Sequence, residues 1–190
     1  MLVERIENRW LAAFTRTFTL CKVQPGEVVA ILAETQSRRV NVDLARLALE
    51  AMGARVFEVT LTTPALTAPA PVRSTGASDA IGQLGPVVAA LARADMVVDC
   101  TVEGLLHAPE LPTIMKGVDG HMPRLLMVSN EHPEILERTV PDPALEGVVR
   151  AAMKKLRGAQ QMHVTSAAGT DLRVNLKHGD KQAVVGGVWG

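Results

Sequence analysis

Two strand-like segments separated by a helical pattern constrain the fold of this chain more than any other feature. Val28–Leu32 is a continuous apolar run of the kind that forms strands covered on both faces, and Arg55–Leu61 is a second strand-like run. Between them, apolar residues recur at helical spacing, and Gly53 follows as a natural end for a helix. Strand, helix and strand within a length of about thirty residues predict a right-handed βαβ unit.

The rest of the chain continues this alternation. It predicts further strands at residues 96–99, 124–128 and 161–166, and further helices at residues 2–21, 85–94, 110–116, 133–138 and 143–158. The fold class that we predict is α/β: a mostly parallel sheet with helices on both faces, Rossmann-like or flavodoxin-like.

After residue 166 the pattern changes. Glycine turns and short apolar runs at residues 171–176 and 183–185 predict the start of an antiparallel β region. We therefore expect two parts: an N-terminal α/β domain, 1–166, which includes the strand at 161–166, and the start of a truncated C-terminal β-rich domain, 167–190.

Charge and cysteine usage argue against several functions. The 20 Lys and Arg residues balance the 20 Asp and Glu residues, and no basic run exceeds two residues, so neither a nucleic-acid patch nor an electrostatic membrane anchor is supported. No stretch reaches the roughly 18 apolar residues of a membrane span, and the N-terminus lacks a signal-peptide pattern. Cys21 and Cys100 match no metal spacing and predict buried free thiols in a reducing compartment. We expect a soluble, cytoplasmic protein.

Common catalytic motifs are absent from the sequence. No glycine lies between Gly26 and Gly53, which excludes a dinucleotide cradle after the first strand, and neither HExxH nor Gly-x-Ser-x-Gly occurs. His178 and Asp180 have the spacing of two iron ligands, although a tight turn explains them as well. Cys100 and His107 have the residue types of a nucleophile pair, but a buried thiol is the simpler interpretation.

The best candidate site follows the predicted strand Met96–Asp99. Asp99, Thr101, Glu103 and His107 lie within nine positions at the end of that strand. Ligands of open α/β sheets bind at the carboxyl ends of the strands, where the loops converge. The alternative is structural: Asp99 caps a helix, Glu103 faces solvent and His107 packs on an apolar face.

Two further polar segments have structural explanations. Asn130 and His132 follow the predicted strand at 124–128 and are expected to cap the helix at 133–138. Residues 62–86 are rich in Thr, Pro, Ala, Ser and Gly and are expected to form a solvated connection. Within that connection, Arg73–Ser78 has the residue types to contact an anionic group instead.

Three segments in order, Val97–Asp99, Leu105–Glu110 and His163–Leu172, resemble the aminopeptidase T-like superfamily. Within it, the chain is most similar to the branch that contains 2,5-dihydroxypyridine 5,6-dioxygenase. The resemblance covers nearly the whole chain but only the N-terminal half of a family member. It implies an α/β domain that covers a metal site built by the C-terminal half: one Fe(II) in the dioxygenase branch, or a pair of divalent metals such as Zn, Co or Mn in the peptidase branch. The metal ligands would lie beyond residue 190.

The same resemblance implies roles for individual residues. His107 matches an active-site histidine of the dioxygenase branch, which implies that it takes a proton from a substrate hydroxyl and returns it. The resemblance also implies that Leu106 lines the substrate-binding site beside His107. Glu103 stands where the dioxygenase has an apolar residue, so it is a substrate-binding candidate that sets this chain apart. His178 and Asp180 do not align with the metal ligands of the family.

Three hypotheses follow. The leading one is the N-terminal domain of an iron-dependent ring-cleaving dioxygenase that acts on a dihydroxypyridine-type aromatic and is inactive without its other half. The alternative is the same half of a metallo-aminopeptidase that acts on short peptides. The third is an inactive α/β fragment that oligomerises through an exposed apolar face. A homo-oligomer is expected.

Overall fold

The computed structural model describes residues 5–65 and 77–176. Internal contacts divide the chain into two compact units, Met1–Val140 and Pro141–Gly190. The domain boundary predicted between residues 166 and 167 stays a prediction. Of the predicted features, the run at 183–185, the His178 and Asp180 pair and most of the Arg73–Ser78 segment lie outside the described residues.

The first unit contains a four-stranded parallel sheet in the order β2-β1-β3-β4. Its strands are β1 (Val28–Glu34), β2 (Arg55–Leu61), β3 (Met96–Asp99) and β4 (Arg124–Met127). The two inner strands, β1 and β3, are buried almost throughout. This burial explains why they are continuous apolar runs in the sequence. The predicted α/β class is thus confirmed.

Helices cover both faces of this sheet, as predicted. In chain order they are α1 (Asn8–Leu20), α2 (Arg39–Ala51), α3 (Gly85–Ala92), α4 (Leu111–Lys116) and α5 (Pro133–Thr139). One face packs against α1, α2 and α5 through a core that includes Phe14, Phe18 and Leu49. The other face packs against α3 and α4 through Leu91, Leu105 and Ile114. Burying each of these large side chains stabilises the fold by about 1.5–3 kcal/mol.

The second unit contains α6 (Glu146–Gly158) and an antiparallel hairpin of β5 (Gln161–Thr165) and β6 (Asp171–Asn175). The antiparallel region predicted near the C-terminus is therefore present, but it begins earlier than expected. β5 pairs with β6 and not with the parallel strands. The cause is a short loop in which Gly169 has a φ of +97° and the Ser166 N–H donates to the Thr170 carbonyl at 3.1 Å. A loop this short joins only antiparallel strands.

The ends of the helices differ from the predicted ends by no more than three residues, except at the start of the first helix, α1, where the difference is larger. The helix predicted from residue 2 begins at Asn8, with Glu7 as its N-cap residue. Among the described residues, no helix is both long and apolar enough to span a membrane.

Candidate functional site

Two buried carboxylates lie at the carboxyl edge of the sheet, Glu34 at the end of β1 and Asp99 at the end of β3. Asp99 pairs with Leu32 in the neighbouring strand, and Glu34 follows Leu32 by two positions. Side chains two positions apart on a strand point to the same face, so both carboxylates lie on the face covered by α3 and α4. Asp99 is fully buried, and Glu34 is 4% exposed. Burial of acidic groups on this scale requires hydrogen-bond partners.

The chain after β3 folds back around the Asp99 carboxylate. We call residues 100–107 the His107 loop. Asp99 Oδ1 accepts hydrogen bonds from the Thr101 N–H at 2.9 Å and the Thr101 hydroxyl at 2.6 Å. Asp99 Oδ2 accepts from the Leu105 N–H at 2.8 Å. No helix follows Asp99 directly, so the cap that sequence analysis offered as an alternative is wrong and the side chain organises a loop instead.

The environment of Asp99 opposes its ionisation. Burial raises the pKa of Asp99, the hydrogen bonds from Thr101 and Leu105 lower it, and the negative charge of Glu34 raises it again. The net shift is upward, because desolvation of a charge is the largest of these effects.

Glu34 ties the His107 loop to β1 and to the chain before α3. Its Oε1 accepts from the Ser78 hydroxyl at 2.7 Å and from the Val102 N–H at 3.2 Å. The Ser78 N–H donates to the Gly104 carbonyl at 2.8 Å, which joins the same two segments a second time. Glu34 was not predicted as a site residue, because the predicted strand ended at Leu32 and placed Glu34 in the following loop.

The His107 loop presents two side chains at its end. Leu105 and Ala108 are buried, and the Ala108 N–H donates to the Leu105 carbonyl at 3.0 Å. Between them, Leu106 is 57% exposed and His107 is exposed, whereas Glu103 is half-buried. The structural alternative that packed His107 on an apolar face is therefore wrong. The loop carries all three predicted site residues, next to the carboxyl edge of the sheet.

Cys100 is the buried thiol that the sequence predicts. Its side chain is fully buried in the core on the opposite face from Asp99. Burial raises the pKa of Cys100 strongly, and the charge of Asp99 adds to that effect. A thiol held in the neutral form makes a poor nucleophile, so pairing with the exposed His107 is not supported. Cys21 is also a free thiol but only half-buried, so the prediction holds fully for Cys100 alone.

The polar residues after β4 cap two different helices. His132 Nδ1 accepts from the Glu134 N–H at 3.3 Å, which confirms it as the cap of α5. Asn130 was expected to cap the same helix, and this is wrong. Its Oδ1 accepts from the N–H of Arg38, the N-cap residue of α2, at 2.5 Å. Ser129, with a φ of +52°, turns the chain just before Asn130.

The described residues do not form a metal site. They contain no group of three or more His, Cys, Asp and Glu side chains that could hold an ion. In the hairpin, His163 Nε2 lies 2.6 Å from Asp171 Oδ1, which amounts to one pair on an exposed surface. Neither the iron site nor the two-metal site implied by the resemblance fits the residues described.

Comparisons of this chain with a family model, a curated protein and a solved structure all match the same kind of protein. A family model described as NicX, 2,5-dihydroxypyridine 5,6-dioxygenase, matches residues 9–190. A curated 2,5-dihydroxypyridine 5,6-dioxygenase from Pseudomonas putida KT2440 is 31% identical over 168 residues, which are 86% of this chain and 45% of that protein. A solved structure of 2,5-dihydroxypyridine dioxygenase from the same organism matches with a TM-score of 0.72 and 31% identity, over 90% of this chain and 48% of that one. The chain spans about half the length of these relatives.

Proposed function

Because the chain belongs to the 2,5-dihydroxypyridine 5,6-dioxygenase family, we propose that it forms the N-terminal α/β part of a ring-cleaving dioxygenase. Its substrate would be a small dihydroxypyridine-type aromatic, opened with molecular oxygen. The observation that carries this proposal is the display of His107 and Leu106 at the carboxyl edge of the sheet, where α/β folds bind ligands. A homo-oligomer stays a prediction.

We assign His107 to proton transfer. An imidazole can accept and return a proton near neutral pH, and ring opening of a dihydroxy aromatic begins from a deprotonated hydroxyl. His107 is exposed, so a ring nitrogen can approach a substrate hydroxyl without opening the core. The proton taken from that hydroxyl would be held on the imidazole and returned to the opened product.

Leu106 and Glu103 would orient the substrate. Leu106 is 57% exposed next to His107, so it offers an apolar surface for one face or edge of an aromatic ring. Glu103 is half-buried in the same loop and would contact a polar substituent of the ring. This carboxylate, in place of an apolar residue, is the reason to test substrates beyond 2,5-dihydroxypyridine.

The resemblance also implies Fe(II), which supplies oxygen binding and substrate chelation when bound. The described residues offer no ligand set for it, so no step of this proposal passes through the metal. The chain's own residues bind and orient the aromatic and move a proton. The aminopeptidase alternative and its pair of divalent metals stay predictions.

The test is an activity assay on the longest form of the protein that its coding sequence specifies. It should be run with Fe(II), molecular oxygen and isomeric dihydroxypyridines, and separately with Zn, Co or Mn and leucyl peptides. Oxygen consumption coupled to loss of the aromatic absorbance supports the proposal, whereas release of free leucine supports the aminopeptidase alternative. Absence of ring cleavage with every isomer would contradict the proposal.

A further inference from the structure

We propose that Asp99 and Glu34 are positioning residues for the His107 loop, whose donors they bind so that Leu106 and His107 are held at the sheet edge. The functional meaning of this arrangement rests on the proton-transfer role proposed for His107. The arrangement itself rests on hydrogen bonds and burial.

The first step is the way the two oxygens of Asp99 are used. Oδ1 takes both donors of Thr101, and Oδ2 takes the Leu105 N–H. The Thr101 hydroxyl oxygen accepts in turn from the Gly104 N–H at 3.1 Å. The Asp99 carboxylate therefore accepts directly from two loop N–H groups, and it binds the hydroxyl that accepts from a third. A buried donor without an acceptor would destabilise this loop conformation.

The second step is the connection from Leu105 to the exposed pair. The Leu105 side chain is fully buried, and the bond from Ala108 closes the turn over Leu106 and His107. The Asp99–Leu105 bond fixes the entry to that turn, and the buried Ala108 fixes its exit. Position and orientation of His107 thus depend on a carboxylate eight positions earlier.

The third step is the different use of Glu34. The Ser78 hydroxyl and the Val102 N–H both donate to the same oxygen, Oε1. An amide oxygen can replace that acceptor, so the structure requires an acceptor at position 34. At position 99 it requires two acceptor oxygens on one side chain, and only a carboxylate offers them.

The charge of Asp99 does not by itself favour a carboxylate at position 99. Burial raises the pKa of Asp99, which means that its charge is unfavourable in the fold. An amide would relieve that cost but would point an NH₂ group at either Leu105 N–H or the Thr101 donors. The need for both oxygens is therefore local to the His107 loop.

The experiment compares Asp99→Asn with a matched control, Asp95→Asn, in the 190-residue chain. Asp95 precedes the same strand, and its carboxylate accepts from the Val28 N–H at 2.7 Å, away from the His107 loop. The readouts are amide hydrogen exchange at Leu105 and Val102, the NMR signals of the His107 imidazole, and urea unfolding.

We expect Asp99→Asn to speed exchange of the Leu105 amide by about tenfold or more and to shift or broaden the His107 signals. Asp95→Asn should leave both unchanged. Glu34→Gln should keep the exchange rate of the Val102 amide, whereas Glu34→Ala should raise it. If Asp99→Asn does not fold, Thr101→Val decides with the same readouts, since it removes one donor to Asp99 and the acceptor for Gly104 N–H.

Unchanged Leu105 exchange and unchanged His107 signals in the folded Asp99 variant, or in Thr101→Val if that variant is the one that folds, would overturn the proposal. These readouts do not require turnover. Absence of ring cleavage by the longest form of the protein would therefore count against the proposed function and leave the positioning result standing.

Discussion

Asp99 Oδ2 accepts a hydrogen bond from the Leu105 N–H at 2.8 Å, which joins the end of β3 to the residue just before Leu106 and His107. Through this bond, a buried group in the sheet determines where two exposed side chains lie. The same loop is tied to β1 through Glu34, so the candidate site is built on the two inner strands of the sheet.

Replacing Asp99 by Asn is expected to change how stability depends on pH. The pKa of Asp99 is raised in the fold, so between the ordinary value of about 3.9 and the raised value the native chain binds more protons than the unfolded chain. The unfolding free energy of the wild type should therefore fall as pH rises through that window. Asp99→Asn lacks this titration, so its stability relative to the wild type should increase with pH.

Urea unfolding of both proteins over the acidic to neutral range measures this difference. A difference that stays constant with pH, or that declines as pH rises, would contradict the upward shift at Asp99.

Two neighbouring leucines should separate stability from substrate contact. Leu105 is fully buried, so Leu105→Ala should reduce the free energy of unfolding by about 2–5 kcal/mol. Leu106 is 57% exposed, so Leu106→Ala should change stability by less than about 0.5 kcal/mol. In an active form of the protein, Leu106→Ala should instead raise KM for the aromatic substrate. Equal losses of stability in the two variants would show that Leu106 belongs to the core.

Thiol labelling should distinguish the two cysteines. Cys21 is half-buried, whereas Cys100 is fully buried and has the more strongly raised pKa. Under native conditions, iodoacetamide should therefore modify Cys21 first and reach Cys100 only when the fold opens. Peptide mass spectrometry at intervals gives both rates. Labelling of Cys100 at the rate of Cys21 would mean that the sheet core is open near the candidate site.

Much of the fold could be predicted because local pattern and burial agree. The bounds of β2 and β3 match the predicted ones, since both segments are rich in residues that favour strands. The sequence did not identify β6 as the partner of β5, because strand pairing depends on the loop that follows. The site was predicted less well. His107 was a candidate from its place after β3 and from the resemblance of the chain to a family, whereas Glu34 and Asn130 accept from backbone groups 68 and 92 positions away, which no local pattern indicates.

The account depends most on His107 as the residue that moves the proton. The direct measurement is kcat for ring cleavage by the wild type and by His107→Ala, in the longest form that the coding sequence specifies. His121→Ala is the control. His121 is also exposed, but its Nε2 lies 3.2 Å from Oδ1 of Asp95, the residue that precedes β3.

Loss of a general acid–base should lower turnover by roughly 10²-fold or more in His107→Ala, with the control near wild type. A His107→Ala enzyme that cleaves the ring at the wild-type rate would contradict the account.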